Sequence, residues 1–495
     1  MEKHSEAVGS ASATPVTVPV PSAISLEAVK RFLPWLVAVA FFMQALDTTI
    51  LNTAVPAIAK ALGVAPLSMK SVLSSYTLSL AVFIPISGWM ADRFGTRLVF
   101  TWAIGTFTLG SLLCGACSNL HLLVACRILQ GFGGAMMVPV GRLTLVRTFP
   151  KAELIRAMSF VAIPGLVGPM LGPVAGGLLV GYLQWRMIFF INIPVGLLGL
   201  YLVNRYLPDY RQERTPPLDV AGLALFGSGI GLLAYVLEVF GEHTLSGVET
   251  AGLLITSLLC LAGYGLRAAH IEHPLLRLQL FRIRTFRASA AGSFFTRLGI
   301  GGIPFLFPLL YQVGLGFTAV QSGLLIMPQA LAAISLKVVL QKILQSFGYR
   351  QVLIFNTVML GVMTLSFATF GATTPVWRIV TQVFLFGIFT SLQYSSMNTL
   401  VYADVTEEAA SGASAITSTV QQLSISFGIA ASSLLTAVFV PDRFHTLPHD
   451  LIHGIHKTFL VLGAWTIFSA LTFSTLKKND GNALSLHQAM PHTGT

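Results

Sequence analysis

Long apolar stretches separated by short polar breaks run through this chain from Leu33 to Leu476. A helix needs about 20 predominantly apolar residues to cross a bilayer. Fourteen stretches meet or approach that length, at 33–56, 71–91, 98–118, 121–146, 157–181, 186–206, 218–240, 250–269, 288–313, 320–344, 351–371, 376–401, 411–438 and 457–476. The pattern predicts an all-α polytopic membrane protein with 14 spans. An even number of crossings leaves both chain ends on one face.

The basic residues choose that face. With the N-terminus inside, twenty lysines and arginines fall in the inner loops and tails, among them Lys30, Arg93, Arg147 and Arg284, and five in the outer loops. This bias predicts cytoplasmic termini. Only 10% of the 495 residues are charged and 54% are hydrophobic. Soluble chains carry about 25% charged residues. The net charge of +11 therefore reads as loop charge that holds topology, with no nucleic-acid partner expected. Residues 1–32, rich in Ser, Ala, Pro and Val, read as a disordered cytoplasmic tail without a cleavable signal, and 478–495 as a second tail. The four cysteines lie in predicted spans and read as packing residues, although Cys114 and Cys117 have redox-motif spacing.

A weak repeat divides the spans. Gly95-Thr96-Arg97 closes the loop after span two, and Gly348-Tyr349-Arg350 closes the loop after span ten, 253 residues later. The same offset carries Gly165 of span five into span thirteen. We expect a six-helix half at 33–206, a linker with two extra helices at 207–287, and a second six-helix half at 288–477. Paired halves around a midplane site form a transporter architecture.

Residues 165–177 read Gly-Leu-Val-Gly-Pro-Met-Leu-Gly-Pro-Val-Ala-Gly-Gly, inside a stretch uncharged from Met158 to Gln184. In water such a composition breaks helices. In a bilayer the backbone must satisfy its own hydrogen bonds, so a helix is expected here too. Gly168, Gly172 and Gly176 then form a smooth ridge for a close neighbour, and Pro169 and Pro173 favour a bend.

Charged residues inside the spans carry the chemistry. Asp47 is the single carboxylate between Glu27 and Asp92. Buried in a membrane it either takes up and releases a proton or serves as a structural acid bonded to Thr and Asn neighbours. In Gly88-Trp89-Met90-Ala91-Asp92-Arg93-Phe94-Gly95-Thr96-Arg97, Asp92 can hold a neighbouring helix end or arginine, while Arg93 and Arg97 also suit plain topological anchoring. Arg127, followed by Gln130, Gly131, Gly133 and Gly134, must face a cavity or a partner such as Asp47, or snorkel to the outer interface.

The Asp47 stretch, the Asp92 loop, the Arg127 segment and the 165–177 ridge resemble, in order, the four signature motifs of drug:proton antiporters of the major facilitator superfamily. The ridge residues Gly165, Gly168, Pro169, Gly172, Pro173, Gly176 and Gly177 look like that group's antiporter motif. Fourteen spans and Trp185-Arg186-Met187-Ile188-Phe189-Phe190-Ile191-Asn192-Ile193-Pro194 are similar to the EmrB/QacA-type branch. Ala45 to Thr53, Gly131 to Met137 and Gln421 to Ser426 resemble its MdtD-type multidrug transporters. The resemblance covers residues 33–480 and implies the major facilitator fold. It also implies a proton-coupled secondary active exporter, multidrug-type, working by alternating access and driven by the proton gradient with no cofactor. Asp47 and Arg127 would act in proton coupling; Gly88, Asp92, Arg93, Gly95 and Arg97 would form the gating loop.

Two departures stand out. The second-half loop from Gln341 to Arg350 lacks the acid. The spans also hold an excess of bases, with Arg142, Arg297, Lys337 and Arg378 beside Arg127, against Asp47 and Glu238. Arg378 reads as structural, near the outer boundary. The others join Asn52, Gln130, Gln393 and Gln421 as candidates for the substrate cavity. The excess raises the alternative of an anionic cargo, a carboxylate metabolite or its metal chelate. Phe305, Phe307 and Tyr311 read as core or cavity wall. The outer histidines His445, His449, His453 and His456 have spacings that either gather a metal or mark a solvated loop, and no metal site is predicted. A non-transporting membrane sensor is a further alternative, though the chain has no long cytoplasmic domain to relay a signal. No Ser/His pair or nucleotide loop supports an enzyme or ATP drive. The expected partners are a small-molecule substrate, protons and lipid, with the monomer as the working unit.

Overall fold

A computed structural model describes residues 26–212, 215–240, 246–336, 339–406, 409–440 and 448–481. Among them no β-strand occurs, and fourteen helices are long and apolar enough to cross a membrane. We number these spans α1 (Glu27–Leu62), α2 (Pro66–Phe94), α3 (Thr96–Ala116), α4 (Leu120–Thr148), α5 (Arg156–Tyr182), α6 (Met187–Tyr206), α7 (Val220–Leu237), α8 (Gly247–His270), α9 (Arg284–Gly314), α10 (Ala319–Leu336), α11 (Leu340–Thr369), α12 (Val376–Leu400), α13 (Ala410–Phe439) and α14 (Pro448–Thr475). The protein has two six-helix halves, α1–α6 and α9–α14, with α7 and α8 as an inserted pair that pack on each other.

All fourteen predicted spans are present, with several boundaries moved. The first helix begins at Leu26, so the tail expected up to residue 32 ends earlier. Hydropathy misses this start because Lys30 and Arg31 sit in the first turns, where their charges reach the interface. The second half opens at Arg284 rather than 288. Span ten ends at Leu336 instead of 344, and the helix from Leu340 turns sharply at Gly348 before continuing as span eleven. The last helix starts at Pro448, so His449, His453 and His456 lie on a helix and not in a loop.

The internal repeat is visible in the backbone. Gly95 separates α2 from α3 at φ 95°, ψ 145°, and Gly348 bends α11 at φ 71°, ψ 159°. This region of backbone space is almost closed to residues with a Cβ. Both turns leave an arginine two residues on, Arg97 and Arg350, at the start of a span.

Packing differs between the two ends of the bundle. At the end remote from the chain termini one apolar core joins both halves. Leu51, Val55 and Ile58 of α1 and Leu67 and Val72 of α2 belong to the same cluster as Phe305, Phe307 and Tyr311 of α9 and Phe459 of α14. Phe305, Phe307 and Tyr311 are therefore core, each at most 1% exposed. Hydrogen bonds cross the seam there, from Gln312 Nε2 to the Thr53 carbonyl at 2.9 Å and from Ser433 Oγ to the Leu67 carbonyl at 3.1 Å. Toward the terminal end each half has its own core, one around Phe41, Phe100 and Val140, the other around Leu353, Met397 and Phe473, with a cleft between these two. A further cluster, with Ala81, Phe226, Tyr264, Phe286 and Ile416, joins the inserted pair to both halves.

The two glycine turns should differ in tolerance. A Cβ at Gly348 meets only the Lys478 carbonyl at 3.8 Å, whereas one at Gly95 also runs into the Asp209 carboxylate. We expect Gly348→Ala to destabilise by about 1–3 kcal/mol through backbone strain alone, and Gly95→Ala to cost more. Unfolding of the two purified variants in detergent checks the order.

Candidate functional site

The chemistry gathers inside the first half, where five spans supply one buried polar network. Asp47 sits in the middle of α1, in a run whose hydroxyls bond back to their own helix: Thr48 Oγ1 to the Gln44 carbonyl at 2.8 Å and Thr49 Oγ1 to the Ala45 carbonyl at 3.0 Å. These internal bonds satisfy the hydroxyls and leave Asp47 to seek partners on other helices. Asp47 Oδ2 accepts from Arg127 Nη1 of α4 at 2.7 Å. Its Oδ1 accepts from Gln130 Nε2 at 2.8 Å and from Asn192 Nδ2 of α6 at 3.2 Å. Gln130 turns its carbonyl oxygen back to Arg127 Nη1 at 2.7 Å and its amide to Ser111 Oγ of α3, also at 2.7 Å. The guanidinium lies over the Tyr76 ring of α2, 4.1 Å from its centroid.

Asp47 and Arg127 are each 1% exposed, and Gln130 and Ser111 are sealed completely. Partnering with Asp47, rather than snorkelling, thus describes Arg127. Three donors, one of them charged, match an ionised carboxylate. Gln130 belongs to this network and not to the cavity. Ser111, Tyr76 and Asn192 complete it without having been singled out.

The glycine ridge lies on the other face of α1. The helix through 165–177 is continuous from Lys151 to Tyr182, with three prolines inside it. An added Cβ at Gly168 would fall 2.7 Å from the Ala45 Cβ; at Gly172 it would overlap Thr49, and at Gly176 the Ile50 carbonyl. Gly177 faces the other way, against the Ala319 carbonyl of α10, and Gly323 of α10 meets the Pro173 carbonyl. This helix therefore packs closely on its own half through one edge and on the opposite half through another. Gly165 contributes nothing to either contact, since a Cβ there meets nothing within 4 Å.

Among the described residues, two cavities in the cleft share Asn398. One, of about 340 Å³, is lined by Gln44, Arg142, Tyr402, Gln421 and Gln422 among others. The second, of about 400 Å³, is lined by Thr49, Asn52, Pro169, Pro173, Gln329 and Tyr394 among others. Arg142, Asn52 and Gln421 thus face the cleft, and Gln421 Nε2 bonds Asn398 Oδ1 at 2.7 Å. Besides Gln130, two candidates do not. Gln393 is buried between α11 and α12, bonded to Thr357 Oγ1 and Asn356 Nδ2 at 2.8 Å each. Arg297 lies 5% exposed behind Tyr394, its guanidinium 3.6 Å from the ring centroid and its Nε 3.0 Å from Ser293 Oγ. An aromatic face and a hydroxyl hold this cation in place of a cavity. Lys337 lies outside the described residues, as does the side chain of Glu238.

At the terminal end Asp92 Oδ1 accepts from Arg147 Nη2 at 2.5 Å, joining α2 to α4 within one half. The segment after α6 straps across the α2–α3 turn. Arg97 Nε donates to the Leu207 carbonyl at 2.7 Å, the Arg97 amide to Asp209 Oδ1 at 3.1 Å, and the Gln212 amide to the Asp92 carbonyl at 3.0 Å. Arg93 and Gly88 are exposed, and nothing in the structure accounts for Gly88. Arg378 bonds Thr369 Oγ1 at 2.9 Å, as suits a structural residue. Among the histidines at the end remote from the termini His456 Nε2 contacts the Phe370 carbonyl at 2.7 Å. His449 and His453 are exposed, and His445 lies outside the described residues. Among the described residues no three His, Cys, Asp or Glu side chains group as metal ligands.

Two six-helix halves around a cleft, with a buried acid–base network beside it, define a secondary transporter. The chain belongs to the Major Facilitator Superfamily, whose model matches residues 37–429. It is 42% identical over 412 residues to a protein of Serratia proteamaculans named "Putative multidrug resistance protein MdtD", covering 83% of this chain and 86% of that one. The protein of that name from Escherichia coli O139:H28 is 42% identical over 409 residues, covering 83% and 87%. Among solved structures, a D-xylose-proton symporter aligns with TM-score 0.65 at 15% identity over 91% of this chain and 99% of that one. A bacterial homologue of the human lysosomal transporter Spinster aligns at 0.65 and 12% over 90% and 96%. These two likenesses show the fold. The protein is a multi-pass transporter of the inner membrane and not an enzyme.

Breaking the buried pair should be costly. Arg127→Met leaves Asp47 charged and uncompensated, a loss of about 3–5 kcal/mol, and adding Asp47→Asn should recover more than half of it in unfolding measurements. On the ridge, Gly172→Leu should destabilise by about 1–3 kcal/mol through overpacking. Gly165→Leu, the control in open space, should change stability by less than about 0.5 kcal/mol.

Proposed function

We propose that this protein is a proton-coupled exporter that works by alternating access, as a monomer, with both termini in the cytoplasm. The observation that carries this is the position of Asp47. It is sealed in a pair with Arg127, two residues from Thr49, which both lines the cleft and packs on Gly172. Chemistry at the acid and movement at the helix interface are thereby joined in one short stretch of α1. With the termini cytoplasmic, the cleft opens inward and the shared apolar core seals the outside.

In this state the carboxylate is charged and paired. Opening of the outer seam gives it access to external protons. Protonation removes the attraction to Arg127, and α1 is freed to shift along the glycine ridge of α5. Loss of that proton toward the cytoplasm restores the pair. Cargo enters from the cytoplasmic cleft and leaves when the seam at Thr53–Gln312 and Leu67–Ser433 parts. The names of the MdtD relatives support a drug-type cargo.

A second reading, an anionic cargo, is favoured by one observation. Among the described residues lining the two cavities Arg142 is the single charged side chain, and no carboxylate lines either. One experiment addresses both readings: proteoliposomes with an imposed pH gradient, assayed with a lipophilic cation dye and a radiolabelled dicarboxylate. Asp47→Asn should lower gradient-driven transport at least tenfold while leaving cargo binding within about threefold. Gradient-driven transport at the wild-type rate in Asp47→Asn would exclude the proton role. Arg142→Gln should lower dicarboxylate transport selectively, and equal loss for both probes would remove the anionic reading.

A further inference from the structure

A groove lies where α1 and α5 begin, on the terminal face and away from the cleft. It has a volume of about 650 Å³ and is lined by Lys30, Arg31 and Trp35 from α1, Phe149 after α4, and Arg156 and Phe160 from α5. Three cations meet one carboxylate there. That carboxylate, Glu153, is already engaged by Lys30 Nζ at 2.9 Å. Arg31 and Arg156 are exposed and have no carboxylate partner among the described residues.

The groove is graded in polarity along the membrane normal. Lys30, Arg31 and Arg156 form its rim. One helical turn deeper, Trp35 and Phe160 form its floor, packed edge to face with ring centroids 4.7 Å apart. Trp35 remains 60% exposed. The Lys30 ammonium also lies 6.0 Å from the Phe149 ring centroid, which fixes the rim over the aromatic layer. Basic side chains at headgroup depth above aromatic side chains at the interface match an amphiphile with a phosphate at one end. A soluble anion would use the rim alone and make no use of the aromatic floor.

We propose that this groove is a binding site for an anionic phospholipid, with its phosphate between Arg31 and Arg156 and an acyl chain against Trp35 and Phe160. The bound lipid bridges the terminal ends of the two helices that meet, further along, at the glycine ridge. It holds their spacing at the end where no ridge glycine makes contact.

The test uses the full-length protein in detergent, titrated with phosphatidylglycerol, phosphatidylethanolamine or inorganic phosphate and read by native mass spectrometry and thermal unfolding. Phosphatidylglycerol should be retained and should raise the unfolding temperature, and the other two should not. Arg31→Gln and Arg156→Gln should each weaken its retention about fivefold. Glu153→Gln should strengthen it. All three residues are at the surface, so unfolding without lipid should be unchanged and a loss of binding is then not a loss of fold. Unaltered retention in the double arginine variant overturns the site. Equal stabilisation by inorganic phosphate overturns the lipid assignment. A photoreactive residue in place of Trp35 should crosslink to lipid; crosslinks to residues 1–25 or to a second copy of the chain would show the groove to be filled by protein and overturn the proposal.

Discussion

An ionised carboxylate deep in a bilayer protein must be matched by a cation and by hydrogen-bond donors, because desolvating it alone costs several kcal/mol or more. Here Asp47 is matched by Arg127, Gln130 and Asn192, and each of these comes from a helix other than α1. That requirement fixes the relative positions of α1, α4 and α6, and Ser111, bonded to Gln130 and Asn192, adds α3. Tyr76 adds α2 through the guanidinium face. The first half is thus organised around one buried charge pair, and its apolar residues fill the space that the pair leaves.

The remaining helix of that half, α5, is held by a different interaction. Its glycines let backbone approach backbone, so dispersion between α1 and α5 replaces side-chain interdigitation. Along the ridge such a contact has no polar lock and resists sliding weakly, in contrast to the directional bonds of the Asp47 network. Because Pro173 and Gly177 of the same helix touch α10, α5 links α1 to the second half by direct contact. The directional network and the smooth contact meet on opposite faces of α1 between Ala45 and Ile50.

The sequence made much of this legible. Spans follow from hydropathy because the bilayer admits few alternatives to a helix. The pairing of Asp47 with Arg127 followed from the cost of leaving either alone, and the ridge followed from glycine spacing. What stayed hidden was direction. Arg297, Gln393 and Gln130 are polar residues in apolar spans, just as Arg142 and Gln421 are, yet the first three turn into the bundle and the last two into the cleft. Residue type cannot separate these, since a buried guanidinium is equally well served by a ring such as Tyr394 as by a watery cavity. Ser111 gave no signal, being one hydroxyl in an apolar helix. Asn192 was visible only as part of a longer string. The turn at Gly348 is marked by its likeness to Gly95, but the helix that precedes it reads as part of span ten because Val338–Leu344 is mostly apolar.

The separation of Asp47 from the cleft constrains how any coupling operates. An acid shared between proton and cargo would have to line the cavity, and no carboxylate does so among the described lining residues. Under the proposed function, coupling through Asp47 would be mechanical, carried by α1, and would leave the charge of the cargo to be set by other groups. That charge decides the driving force. Exchange of one proton inward for one monovalent cation outward moves no net charge, so the membrane potential contributes nothing. Exchange of one proton inward for one monovalent anion outward moves two charges in the same electrical sense. With the interior negative, each charge contributes about 2.3 kcal/mol per 100 mV. Of the two cargo readings proposed, the anionic one, suggested by Arg142 as the one charge of the described lining, is the one for which the potential and the proton gradient would act together.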